Sequence, residues 1–369
     1  HGAWSAAFAY MSDLDARSHL HADALEAFAM AAYMIGREPT FVDLRKRAFE
    51  AALEAGEPLR AARSAFWIGL TLMFRGEHGS GGGWLARADR LVSEQGGDCV
   101  EQGYILLPRV EMSLAKQDLA AAEGYAAEAV VIGERFGDAD LREMARHLKG
   151  RIRILSGNTA EGLALLDETM VATIDGRLSP IATGLIYCSV IAACRDFQIH
   201  GRAREWTEAL SSWCGKQPEI VAFTGRCLIH RSEIMILDGR WSEALAEAAT
   251  AGRRLLEGPA EHQAGPAFYQ EGEVHRLSGR FDEADQCYRS AVRLGFDPQP
   301  GLALMRLRQG RLQPALSSIR RTLASAGNTA SRLRLLPAAF EITLTAGDVE
   351  TASDISDELQ EVAARTGSD

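Results

Sequence analysis

One recurrence limits what this chain can fold into more than any other feature of its sequence. Its clearest copy runs from Pro266 to Pro298, where Gly272, His275, Gly279, Phe281, Ala284, Tyr288 and Ala291 fall three, four, two, three, four and three residues apart. Gly272 and His275 fit one helix and Gly279 the turn that ends it. Phe281, Ala284, Tyr288 and Ala291 then share one face of a second helix with a period near 3.6 residues. The small Ala284 lets the two helices approach, so the spacing predicts a helical hairpin.

The second-helix pattern returns along the chain. It reads Gly239, Trp241, Ala244, Ala248, Ala251; then Gly157, Thr159, Gly162, Leu166, Thr169; then Gln117, Leu119, Ala122, Ala126, Ala129. Towards the C-terminus it reads Gly310, Leu312, Ala315, Ile319, Thr322 and Gly347, Val349, Ala352, Ser356, Leu359. Looser copies follow Gly36, Gly76 and Gly201. The turn positions 36, 76, 117, 157, 201, 239, 279, 310 and 347 average about 39 residues apart, a spacing of helical-repeat solenoids. Trp4, Ala7, Met11 and Leu14 look like the second helix of a further hairpin, and with His1 in place of Met they suggest a piece of a longer protein. Alternating β-branched runs are absent, and prolines such as Pro39, Pro58, Pro108, Pro180, Pro218, Pro259, Pro298 and Pro300 are expected at hairpin joints. The expected fold is all-α, a right-handed superhelical solenoid over residues 1–369, with about nine hairpins and an N-terminal half-repeat.

Composition narrows the function. With 47% hydrophobic residues the chain can bury enough surface to fold, and its net charge of −10, from 40 Lys+Arg against 50 Asp+Glu, argues against the body of the chain gripping nucleic acid. The longest uncharged run, Leu178 to Cys194, has 17 residues, short of the roughly 20 that span a bilayer. Cys99, Cys188, Cys194, Cys214, Cys227 and Cys287 form no CxxC pair or Cys/His ligand spacing, so no metal or other cofactor is expected and reduced thiols in a cytoplasmic protein are.

The hairpins resemble tetratricopeptide repeats, and their longer, degenerate form resembles the MalT-like branch. More narrowly, EPLRAARSAFWIGLTLMFRGE (Glu57 to Glu77), VIGERFGDADL (Val131 to Leu141), LSPIATGLIYCSVIAAC (Leu178 to Cys194), RAREWTEAL (Arg202 to Leu210), AFTGRCLIHRSEI (Ala222 to Ile234) and QPGLALMRLRQGR (Gln299 to Arg311) are similar to the repeat region of actinobacterial LuxR-family transcriptional regulators. The resemblance implies a regulatory region whose DNA contact is made by a C-terminal helix-turn-helix. Up to Asp369 no basic helix pair has the composition of that module.

In repeats of this type the first helix of each hairpin lines the concave groove. Stepping back from each turn by the helical period places Tyr269, Glu273 and Arg276 there, with Arg226, Ile229, His230 and Glu233 one hairpin earlier and Cys188 and Arg195 before those. His147 and Arg151, Tyr104 and Glu111, and Arg334 and Glu341 occupy matching positions elsewhere. Arginine offers a planar fork to a carboxylate or phosphate, so such a groove suits a small-molecule effector or a peptide or protein partner. The same residues could instead pair across hairpins and stabilise the stack. A homodimer, or a scaffold with no small-molecule ligand, is the alternative.

Other motifs carry less. Gly79, Ser80, Gly81, Gly82, Gly83 and Trp84 lack the ending of a phosphate loop and read as a flexible inter-helix turn. His19 and His21, two apart, cannot share a metal on one helix face. Cys227 and His230 are three apart, but nothing marks an electropositive site or an oxyanion-stabilising group, so no enzyme is expected. Phe66, Trp67, Leu70, Leu72 and Phe74 read as core, with Trp67 near the groove; Trp206 and Trp213 read as packing between hairpins.

Overall fold

The structure, a computed structural model, describes residues 3–217, 219, 224–256 and 261–366, without the side chains of residues 224, 226, 261, 262, 365 and 366. Among the described residues there are nineteen α-helices, one short 3-10 turn (Glu261–Ala264) and no strand. The chain is an all-α helical-repeat solenoid built from antiparallel hairpins.

Contacts group the chain into two units. The first comprises His1–Ser156, Glu161–Tyr187 and Leu210–Phe223; the second comprises Gly157–Ala160, Cys188–Ala209 and Thr224–Asp369. The helices that lie wholly in the first unit are α1 (Trp4–Arg17), α2 (Ala22–Met34), α3 (Glu38–Glu54), α4 (Pro58–Phe74), α5 (His78–Gln95), α6 (Val100–Ala115), α7 (Leu119–Phe136) and α8 (Ala139–Leu155). Helices α9 (Thr159–Ile174), α10 (Pro180–Asp196) and α11 (His200–Gly215) contribute residues to both units. The second unit continues with α12 (Thr224–Leu237), α13 (Trp241–Leu256), α14 (Gly265–Leu277), α15 (Phe281–Arg293), α16 (Gly301–Arg308), α17 (Leu312–Ser325), α18 (Thr329–Thr345) and α19 (Val349–Thr366).

The turns follow the recurrence. Residues 36, 76, 117, 157, 239, 279, 310 and 347 all have positive φ, the left-handed geometry that ends a helix. At Gly36 the Arg37 N–H reaches back to the Ala32 carbonyl at 2.8 Å and the Gly36 N–H to that of Tyr33 at 2.9 Å, so carbonyls left open by the last turn of α2 are satisfied. The turn expected at Gly201 lies at Gln198 instead, with φ 59°, and Gly201 is already inside α11.

The second-helix pattern supplies the core. Ala284, Tyr288 and Ala291 are buried, as are Ala244, Ala248 and Ala251 and Ala122, Ala126 and Ala129. The position that opens the pattern varies, exposed at Trp241 and Val349 and buried at Thr159.

Two local expectations need correction. Gly79 to Trp84 is not a flexible turn but the first part of α5. Its glycines allow a close crossing: a Cβ on Gly81 would lie 3.0 Å from the Gly69 carbonyl oxygen of α4 and 2.9 Å from Met73 Cγ. Pro108 is not at a joint but inside α6, and Pro337 is likewise inside α18. Each removes one helical N–H. Pro39, Pro58 and Pro180 do open helices, whereas Pro218 and Pro259 lie outside the described residues.

Candidate functional site

The richest polar cluster lies on the first helices of the second unit. On α14, Glu273 and Arg276 are one turn apart and form a two-bonded pair, Arg276 donating from Nε at 3.1 Å and from a terminal nitrogen at 2.7 Å. The Tyr288 hydroxyl on α15 donates to the same Glu273 carboxylate. A Cβ at residue 301 would collide with that carboxylate, so glycine there lets the start of α16 close over it. Tyr269 packs between the rings of Tyr288 and Phe296, with centroids at 6.0 and 5.4 Å, and its hydroxyl meets the Gly301 backbone N–H. Burial, followed by the Glu273 charge, pushes the Tyr269 hydroxyl well above its ordinary range, so it stays protonated as a donor. Burial opposes the Arg276 charge, but its bonds to Glu273 outweigh that and hold it above its ordinary value.

On α12, Glu233 is half-buried and has Arg195 of α10 at 3.6 Å. Arg195 also donates to Asp196 at 2.8 and 3.2 Å. Desolvation raises the Glu233 carboxyl despite the Arg195 charge, and Asp196 adds to the rise. Arg334 of α18 acts on both Glu233 and Tyr269, which puts α12, α14 and α18 in one electrostatic neighbourhood. Arg334 is exposed and makes no ion pair among the described residues.

The other expected groove residues are placed differently. Cys188 and His230 are buried, and Arg231 beside His230 pairs with Glu247 at 2.7 Å. The Arg226 side chain lies outside the described residues. In the first unit, Glu111 and Arg151 meet at 2.7 Å across α6 and α8, the pairing between hairpins that was the alternative to a ligand role. Tyr104 is a packing residue and not a groove surface. Only 2% of it is exposed, Arg63 stacks on its ring at 3.9 Å, and its hydroxyl donates to Asp138 Oδ1 at 3.0 Å. Trp67 is buried against Phe66 and does not reach the groove. Cys227 is buried beside the equally buried His230, which removes the open access a nucleophilic thiol needs. No His, Cys, Asp and Glu side chains cluster as a metal would need, among the described residues. No helix described is long and apolar enough to cross a membrane.

One feature of the site is missing from the sequence expectations although the sequence displays it. From Pro298 to Phe340 the chain has seven arginines and no Asp, Glu or Lys. Reading each repeat for its packing pattern conceals this run, because the arginines fall between the apolar positions.

The described geometry resembles that of known helical-repeat structures. The crystal structure of a Rap protein complexed with competence and sporulation factor aligns with a TM-score of 0.63 and 14% identity, over 94% of this chain and 98% of that one. The chain has a tetratricopeptide-like helical-repeat fold. Yeast Tom70 aligns with 13% identity and a TM-score of 0.45 over 93% of this chain and 68% of Tom70. The Cut9 and Hcn1 hetero-tetramer structure aligns with 13% identity and a TM-score of 0.38 over 96% of this chain and 81% of that one. No protein-family model and no curated protein matches the sequence.

Proposed function

We propose that this chain is a non-enzymatic, partner-binding regulatory module whose first-helix face in the second unit receives a peptide or small-molecule effector. The carrying observation is the cluster of Tyr269, Glu273, Arg276 and Glu233 on first helices beside the exposed Arg334. Its donors and acceptors are fixed by one another, so a ligand would meet preorganised groups. The Rap protein crystallised with competence and sporulation factor shares the fold and supports the reading by analogy. The resemblance to LuxR-family regulators supplies the finer proposal. Effector binding would favour one arrangement of the hairpins and so bias an attached DNA-binding module in the cytoplasm.

A thermal-shift screen of metabolites and short peptides tests the binding role. Saturable stabilisation that disappears in Glu233→Gln supports it. No stabilisation by any compound, with mass rising with protein concentration in light scattering, would replace it with a self-associating scaffold.

A further inference from the structure

A cavity of about 330 Å³ opens in the first unit between α8 and α9. Its lining follows helical register: Ala139, Arg142 and Arg146 form one stripe of α8, and Glu168, Val171 and Asp175 one stripe of α9. This stripe of α8 is not its first-helix face. Arg151, which meets Glu111 of the first helix α6, is nine residues beyond Arg142, about two and a half turns at 3.6 residues per turn, and so on the opposite side. Arg142 instead lies against the second helix α7, where a Cβ on Gly133 would come within 2.7 Å of the Arg142 backbone nitrogen. The cavity therefore belongs to the second-helix side of its hairpin.

The charges around it do not close among themselves. Glu143, fully buried, accepts from Arg142 Nε at 2.7 Å and from Arg146 with both oxygens at 3.1 Å. Arg146 has two further carboxylates near it, Glu134 at 3.7 Å and Glu168 at 4.0 Å, both beyond hydrogen-bond reach. Asp175 is taken by Arg177 at 2.8 Å. That leaves the two terminal nitrogens of Arg142 and the exposed Glu168 carboxylate with no hydrogen bond among the described residues. Val171, Ala172 and Leu178 add an apolar wall, and Val171 is 60% exposed.

We propose that this cavity binds a small zwitterion, an α-amino acid with an apolar side chain. Its carboxylate would lie on the open guanidinium edge of Arg142, its ammonium on Glu168 and its side chain on Val171 and Leu178. The volume is at the low end of ligand cavities, roughly 300–1,000 Å³, and suits a single small molecule. Two parallel N–H groups of a guanidinium match one carboxylate. The local balance selects against a simple anion: Arg142 and Arg146 face Glu134, Glu143 and Glu168, so a further negative charge would add to a surplus, whereas a zwitterion adds no net charge. Bound there, the ligand would tie α8 to α9 from the second-helix side.

Isothermal titration calorimetry on the full chain tests this with L-leucine and two analogues that each lack one charge: leucinol, without the carboxylate, and isocaproic acid, without the ammonium. Leucine should bind saturably and each analogue at least tenfold more weakly. Arg142→Gln and Glu168→Gln should each weaken leucine at least tenfold, while Arg311→Gln, in the second unit, should not. Glu168 is exposed and accepts no hydrogen bond, so Glu168→Gln keeps the fold, and circular dichroism checks both variants. Isocaproic acid binding as tightly as leucine would make this an anion site, and leucinol doing so a cation site; either result overturns the proposal. So does the absence of leucine binding up to about 10 mM, or leucine binding that neither variant changes. None of these outcomes bears on the Glu233→Gln test, because that cluster belongs to the second unit.

Discussion

Gly81 and Gly83 lie two residues apart in α5 yet should respond to alanine with opposite signs. Both are helical, and replacing an interior helical glycine by alanine is worth roughly 0.5–1 kcal/mol in backbone entropy. Gly83 is exposed and a Cβ there meets nothing within 4 Å, so Gly83→Ala should stabilise the first unit by about that amount. At Gly81 the new Cβ would sit 3.0 Å from the Gly69 oxygen and the Met73 nitrogen, and both are backbone atoms of α4. Making room means separating two helices, which typically costs about 1–3 kcal/mol and outweighs the entropic gain. Gly81→Ala should therefore be less stable than the parent chain by about 1 kcal/mol, and the two variants should differ by about 2 kcal/mol. For a unit of about 200 residues that is roughly 4–8 °C in Tm, measurable by circular dichroism or calorimetry. Hydrogen exchange should locate the loss in α4 and α5. If Gly81→Ala matched Gly83→Ala in stability, the close crossing would be wrong and the glycine-rich stretch would be the flexible turn its composition suggests.

Other responses follow from buried polar groups. His147 is buried, and desolvation, reinforced by the Arg151 charge, lowers it to about 3. The folded imidazole therefore stays neutral while the unfolded one binds a proton below about 6.5, so its stabilising contribution is present above that pH and lost as pH falls. Between pH 7.5 and 5 the chain should lose about 2 kcal/mol in urea titrations that His147→Gln does not lose. Asp138 caps α8 by accepting from the Leu141 N–H at 2.9 Å and also accepts from Tyr104, so Asp138→Ala should cost about 2 kcal/mol by denaturant midpoint. Arg45 is buried on α3, its Nε has no hydrogen-bond partner, and burial lowers it to about 10. Arg45→Met keeps the apolar stem and removes the charge, and calorimetry should show a gain of up to about 3 kcal/mol; a loss would mean the guanidinium is compensated.

The architecture was legible because it depends on local rules. Positive-φ turns at residues 36, 76, 117, 157, 239, 279, 310 and 347 and buried small residues at 244, 248, 284 and 291 both follow from one hairpin's own geometry. The candidate site was legible in part. Tyr269, Glu273 and Arg276 share α14, and helical spacing alone brings the last two together. Tyr104 occupies an equivalent position and is buried all the same, because Arg63 and Asp138, 41 residues before and 34 after it, close over it.

Sequence by itself therefore determined the repeat, the all-α class and the face of each second helix that forms the core, since these depend on residues a turn or two apart. Tertiary structure decided that Gly81 belongs to a helix crossing, that Glu273 is shared by Arg276 and Tyr288 beneath Gly301, and which arginines of the 298–340 run have partners. Those outcomes depend on which side chains from separate helices meet, and a charge or a glycine acquires its meaning only from what stands opposite it.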